Sequence, residues 1–156
     1  MSRLSKLLLL LASGACVEEA TLQPFPEQII PATITTSDND LAPGETAILT
    51  VTLTNTLDQL VRLDFPTQCQ ALIFIRNAAG RVMAPENGSY ECASVPSSFS
   101  IDVGKSKEFQ NQWGGGVEFG PNGSSLRVPP GSYYASAELR ASNYHAIAFP
   151  ILITVR

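Results

Sequence analysis

Apolar and polar residues alternate with a period of two through most of this chain, and no stretch sustains the 3.6-residue period of a helix. From Thr46 to Asn55, Leu49, Val51 and Leu53 face one way while Thr50, Thr52 and Thr54 face the other, which predicts a half-buried strand. Val61, Leu63 and Phe65 alternate with Arg62 and Asp64 in the same manner. Ala71 to Ile75 is apolar without interruption and suits a central strand covered on both faces. Asn77-Ala78-Ala79-Gly80 then supplies a hairpin turn before Arg81-Val82-Met83. Phe99, Ile101 and Val103 alternate with Ser98, Ser100 and Asp102, Gly104 closes that strand, and Phe109 and Trp113 lie on one further segment. Beyond the glycine tract at 114–116 and the Gly120-Pro121-Asn122-Gly123 turn, Pro129-Pro130-Gly131 leads into a strand from Tyr133 to Leu139. The last strand is expected to set Ile147, Phe149, Ile151, Ile153 and Val155 on one face, with Pro150 marking an edge or a bulge.

About seven to nine short strands at this spacing predict an all-β domain, an immunoglobulin-like antiparallel β-sandwich. The amino terminus has a different character. Arg3 and Lys6 precede an unbroken run from Leu7 to Leu11, followed by Ala12-Ser13-Gly14-Ala15-Cys16. Uncharged residues from Leu7 to Ala15 would span only about 14 Å as a helix, roughly half a bilayer core, so the segment reads as an export signal and not as a membrane span. Two cleavage chemistries fit it. Ser13 and Ala15 suit ordinary signal peptidase. Gly14, Ala15 and Cys16 also match a bacterial lipobox, in which the cysteine thiol receives a diacylglyceryl group and becomes the first residue; Ser13 stands in the place of the usual leucine.

The chain is accordingly divided into a signal peptide at 1–15, a lipid-anchored tether at 16–31 and a sandwich domain at 32–156. The tether carries Glu18, Glu19, Pro24, Pro26 and Glu27 without a helical or strand period. Near Ile29 and Ile30 the alternative remains open that the chain already lies along the domain edge as a first strand.

The cysteine count bears on both the anchor and the domain. There are three cysteines, and an exported domain generally pairs its thiols. A disulfide between Cys69 and Cys92 leaves Cys16 as the odd one, free to carry lipid. Removal of Arg3 and Lys6 leaves eight basic residues against fourteen acidic ones, a charge of −6 on the mature chain. No basic cluster remains to displace phosphate counterions, which excludes nucleic acid as a partner.

Catalytic chemistry is not expected. His145 is the sole histidine, and no nucleophile elbow or catalytic-cysteine signature accompanies it. Two distant cysteines and one histidine do not make a metal site, and Asp38 with Asp40 lacks the further acidic spacing of a calcium loop. No metal and no cofactor are therefore expected. The glycines at 114–116 follow Trp113 without opening a helix, so they read as a bend and not as a phosphate cradle. Asn87-Gly88-Ser89 and Asn122-Gly123-Ser124 read as turns, and Trp113 with the Tyr133-Tyr134 pair reads as core and corner of the sandwich.

The order of certain segments resembles the BsuPI-type (intracellular proteinase inhibitor) β-sandwich family. They are Pro43-Gly44-Glu45, the strand ending Leu53-Thr54-Asn55, the corner Arg62-Leu63-Asp64-Phe65-Pro66, Gly80-Arg81, Trp113-Gly114 and Pro130-Gly131-Ser132-Tyr133. The resemblance spans Pro43 to Leu139 and implies a non-enzymatic, protein-binding domain of proteinase-inhibitor type. A loop such as Pro85 to Pro96, restrained at Cys92, would then present an extended segment to a protease cleft. The expected protein is a cell-envelope lipoprotein, periplasmic or surface-facing, whose partners are the membrane through its anchor and a protease or other envelope protein. The alternative is a structural or adhesive immunoglobulin-like module with no inhibitory activity.

Overall fold

The computed structural model describes residues 29–120 and 126–156. The signal peptide, Cys16, most of the tether and the Asn122-Gly123-Ser124 turn lie outside the described residues.

Ten strands form, eight of them where the sequence predicts a strand: β1 (Ala32–Thr36), β2 (Asp40–Leu41), β3 (Ala47–Thr54), β4 (Val61–Phe65), β5 (Ala71–Asn77), β6 (Val82–Ala84), β7 (Ser97–Ile101), β8 (Ser106–Trp113), β9 (Gly131–Leu139) and β10 (Ile147–Val155). The two additions are β1, of five residues, and β2, whose two residues are too few to show a period of their own. One 3-10 turn at Glu86–Gly88 is the helical content of the described residues. The strands make a three-stranded sheet ordered β1-β3-β8, a five-stranded sheet ordered β2-β10-β9-β5-β6 and a two-stranded ribbon, β4-β7. All pairings are antiparallel apart from β2 with β10, which is parallel.

Two apolar clusters hold these sheets together. In the larger, Leu49, Val51 and Trp113 of the three-stranded sheet are buried with Ile73, Ile75, Ala135, Ala137, Ala148 and Ile153 of the five-stranded sheet. Three alanines on β9 and β10 leave room for the indole and the branched side chains opposite. A smaller cluster of Leu53, Val61, Leu63, Phe65, Ile101 and Leu139 lies beneath the β4-β7 ribbon. Each fully buried Leu, Ile or Val of this kind contributes about 1.5–3 kcal/mol.

The strand leading into the fold changes sheets. Ile29 bridges His145 in parallel, and the Ile30 N–H donates to the His145 carbonyl at 3.2 Å. β1 then pairs with β3, and β2 returns to pair with β10 at Thr154 and Val155. Ile30 is buried in the smaller cluster, so the packed domain reaches to Ile29, ahead of a boundary at residue 32.

Only the second half of the last strand faces as the alternation predicts. A register shift between Ala148 and Ile151 places Phe149 and Pro150 opposite the single residue Ser136. One extra residue reverses the side on which every earlier residue emerges. Ile153 and Val155 are buried, but N-terminal to the bulge it is Ala148 that faces the core, while Ile147 and Phe149 face outward.

Among the described residues the buried polar residue of the core is Asn55, completely enclosed just after β3. Its Nδ2 donates to the carbonyls of Gln59 and Ile101, each at 2.8 Å, and its Oδ1 accepts from the Leu57 N–H at 3.0 Å. Its own N–H and C=O pair with Lys105 and Gly104. One side chain thereby ties the turn after β3 to the end of β7, and all its polar groups are satisfied.

Candidate functional site

The connection from β6 to β7, residues 85–96, is where the two cysteines of the domain meet. Cys69 precedes β5 and Cys92 lies in the connection; their Cα atoms are 5.5 Å apart and a disulfide joins them. This is the pairing that the cysteine count predicts. Around it the chain is held repeatedly. The Gln68 N–H donates to the Ala93 carbonyl at 3.2 Å, Gln70 Nε2 donates to Ser97 Oγ at 3.1 Å, and Ser97 Oγ donates to the Thr67 carbonyl at 3.1 Å. Residues 67–70 thus form a backing strip that pins the connection on both sides of Ala93–Pro96.

Between those pins Ala93, Ser94, Val95 and Pro96 are all exposed. The Val95 N–H donates to the Ala93 carbonyl at 2.7 Å, which bends the chain at Ser94. The segment is therefore not extended throughout, as the sequence suggests; the tight bend pushes the Val95 side chain outward. Glu86 and Glu91 give the connection acidic flanks, and it contains no basic residue.

Tyr90 anchors the other half. β6 pairs with β5 only at Ile75 and Arg76, leaving the edge of β5 open at Ile73. The Tyr90 hydroxyl donates to the Ile73 carbonyl at that edge. Its ring meets Phe74 edge-on with centroids 5.6 Å apart and stacks on Phe119 at 6.3 Å. Burial pushes the phenol up to about 12. This cap explains how β5 is apolar on both faces: Ile73 and Ile75 enter the sandwich, and Phe74 is covered by the loop. Neither Tyr90 nor Asn55 is marked by any local pattern, because each earns its place through partners distant in sequence.

Other residues of chemical interest are engaged in structure. Trp113 is fully buried, and its Nε1 donates to the Gly116 carbonyl at 2.8 Å, so the glycine tract folds back around the indole. At Gly115 φ is +74°, a conformation that glycine adopts without strain. The Tyr133 hydroxyl donates to the Pro129 carbonyl four residues upstream, the corner bond of immunoglobulin-like sandwiches, and burial raises its phenol. Tyr134 faces outward. Asp38 Oδ1 accepts from the Asp40 N–H at 2.9 Å, and Asp40 pairs with Arg156 at 2.9 Å. The backbone of His145 is paired with the incoming chain at Ile30. Among the described residues no three His, Cys, Asp or Glu side chains gather as metal ligands. A shallow groove of about 210 Å³ on the outer face of the other layer is lined by Ile48, Gln110, Asn111, Gln112 and Gly120, without a charged group.

A family model described as a family of unknown function, DUF7974, matches residues 23–154. No curated protein matches the chain. Among solved structures it is similar to a β-glucosidase from Erythrobacter marinus, with 15% identity and a TM-score of 0.46 over 80% of this chain. It spans only 15% of that enzyme's length. The CARDB domain of a Pyrococcus furiosus protein, in complex with di-metal ions, gives 13% identity and a TM-score of 0.47, covering 85% of this chain and 91% of that one. The C-terminal domain of Wzt gives 14% identity and a TM-score of 0.44, covering 80% and 70%. None of these likenesses carries a substrate, a metal or a partner over to this chain.

Proposed function

The chain belongs to DUF7974, a family of unknown function, and we propose that it is a non-enzymatic protein-binding module of the bacterial cell envelope, tethered through lipid on Cys16. Its working surface in this reading is the connection at 85–96, acting as a proteinase inhibitor of the BsuPI type. The observation that carries the reading is the restraint of Ala93–Pro96. A disulfide and hydrogen bonds from Gln68 and Ser97 hold this exposed segment, so little conformational entropy is left to lose when a partner closes over it. The disulfide itself suits an oxidising, exported environment.

Stoichiometric inhibition of a panel of serine proteases tests the inhibitory role, with Val95→Asp as the loop variant. Inhibition by the wild type that is lost in Val95→Asp supports it. Absence of both inhibition and complex formation across the panel removes the inhibitory role and leaves the structural or adhesive module. For the anchor, the intact mass of membrane-extracted protein should carry a diacylglyceryl adduct that vanishes in Cys16→Ala. An unmodified wild-type product removes the anchor.

A further inference from the structure

The bulge in β10 creates a surface that the proposed loop does not use. Phe149 is 89% exposed, and Ile147 and Leu152 of the same strand are exposed on the same outward face. Tyr134, the cross-strand partner of Leu152, and Ile29, bridged to His145 at the start of β10, extend this face. Several large apolar side chains left exposed on one side of neighbouring strands point to an interaction surface.

We propose that this outward face of β9 and β10, headed by Phe149, rests on the surface of the lipid bilayer to which the chain is tethered. The proposal builds on the lipid anchor at Cys16. Residues 17–28 separate that cysteine from Ile29, and twelve residues span at most about 40 Å. The described chain begins at Ile29, bridged to His145 two residues ahead of Ile147, so the anchor holds this face within reach of the membrane at high effective concentration. The charges among and around these residues do not oppose contact. Glu138, directly opposite Ile147, is paired with Arg140, Asp40 is paired with Arg156, and Arg76 lies beside Tyr134. Arginine stems and aromatic rings so placed suit the interfacial layer of a bilayer, with charged heads in the headgroups and apolar parts below.

Edge-on pairing with a second copy is disfavoured by the same strand. Pro150 offers no N–H, and the outer edge of β10 is already engaged by Ile29 at one end and β2 at the other. What remains open is the face.

The test uses the mature chain, residues 16–156, carrying Cys16→Ser, which cannot be acylated, mixed with phosphatidylcholine vesicles and followed by flotation at increasing lipid. Binding at millimolar lipid that falls about tenfold in Phe149→Ser is expected, from loss of one large apolar side chain at the interface. Ile48→Ser, on the outer face of the opposite sheet, should bind as the parent does. No binding by the parent, or equal binding by the parent and Phe149→Ser, overturns the proposal. Concentration-dependent dimerisation abolished by Phe149→Ser, without vesicle binding, also overturns it and assigns the face to a second copy. Because the parent carries no lipid, this outcome is independent of the mass measurement that tests the anchor.

Discussion

Replacing Asn55, itself fully enclosed, by alanine removes three hydrogen bonds. The bond from Nδ2 to the Ile101 carbonyl is wholly buried, whereas those to Gln59 and from Leu57 are partly buried. A stranded buried carbonyl costs about 1–3 kcal/mol, and each partly solvated group loses about 0.5–1.5 kcal/mol net. The sum is about 4 kcal/mol, a large share of the 5–15 kcal/mol that holds a typical domain together. With the disulfide intact, urea unfolding should show the midpoint falling by about 2.7 M at a slope of about 1.5 kcal/mol/M, with the slope unchanged. Asn55→Asp keeps the acceptor for Leu57 but replaces the donor by an oxygen facing two carbonyls. It should be at least as damaging at pH 7. Its folded carboxyl is expected to hold its proton above the unfolded value of about 3.9, so stability recovers in acid and is lost as pH rises through and beyond that value. An alanine variant within about 0.5 kcal/mol of wild type would refute the reasoning, since that is the spread of inconsequential surface changes.

Two further outcomes follow from the loop. The double variant Cys69→Ser, Cys92→Ser should lose about 3 kcal/mol on the chain-entropy account of a loop this long, and proteolysis within 85–96 should accelerate; an unchanged unfolding midpoint would contradict it. Tyr90 should escape ionisation until about pH 12 in a phenolate absorbance titration, and a titration in which every tyrosine ionises near pH 10 would show that the ring is not buried against β5. Since its folded pKa lies above the unfolded value of about 10, the associated stability is fully present below pH 10 and is lost as pH rises toward 12.

Strand alternation is a local property, and local properties are what a sequence displays directly. Leu49, Val51 and Leu53 are buried as their spacing demands, as are Val61, Leu63 and Phe65, and the uninterrupted run at Leu72–Ile75 is buried on both faces, although β5 stands next to the edge of its sheet and not at its centre. The cysteine pair was legible too, because counting needs no geometry. The face presented by β10 was not: Pro150 announces a bulge, but the inversion of Ile147 and Phe149 depends on how the strand registers against β9.

The same division runs through the candidate site. Cys92 identifies the loop, yet its rigidity comes from Gln68, Ser97 and Tyr90 meeting chain positions that no periodicity connects. Asn55 reads as a strand end and becomes a buried hub only when β7 closes over it. The order of apolar and polar residues was sufficient for an all-β sandwich, since burying one face of each strand is decided residue by residue. Which polar groups became buried, and which apolar ones were left outside, was decided by tertiary structure, because desolvation and hydrogen-bond satisfaction depend on neighbours that only the folded chain assembles.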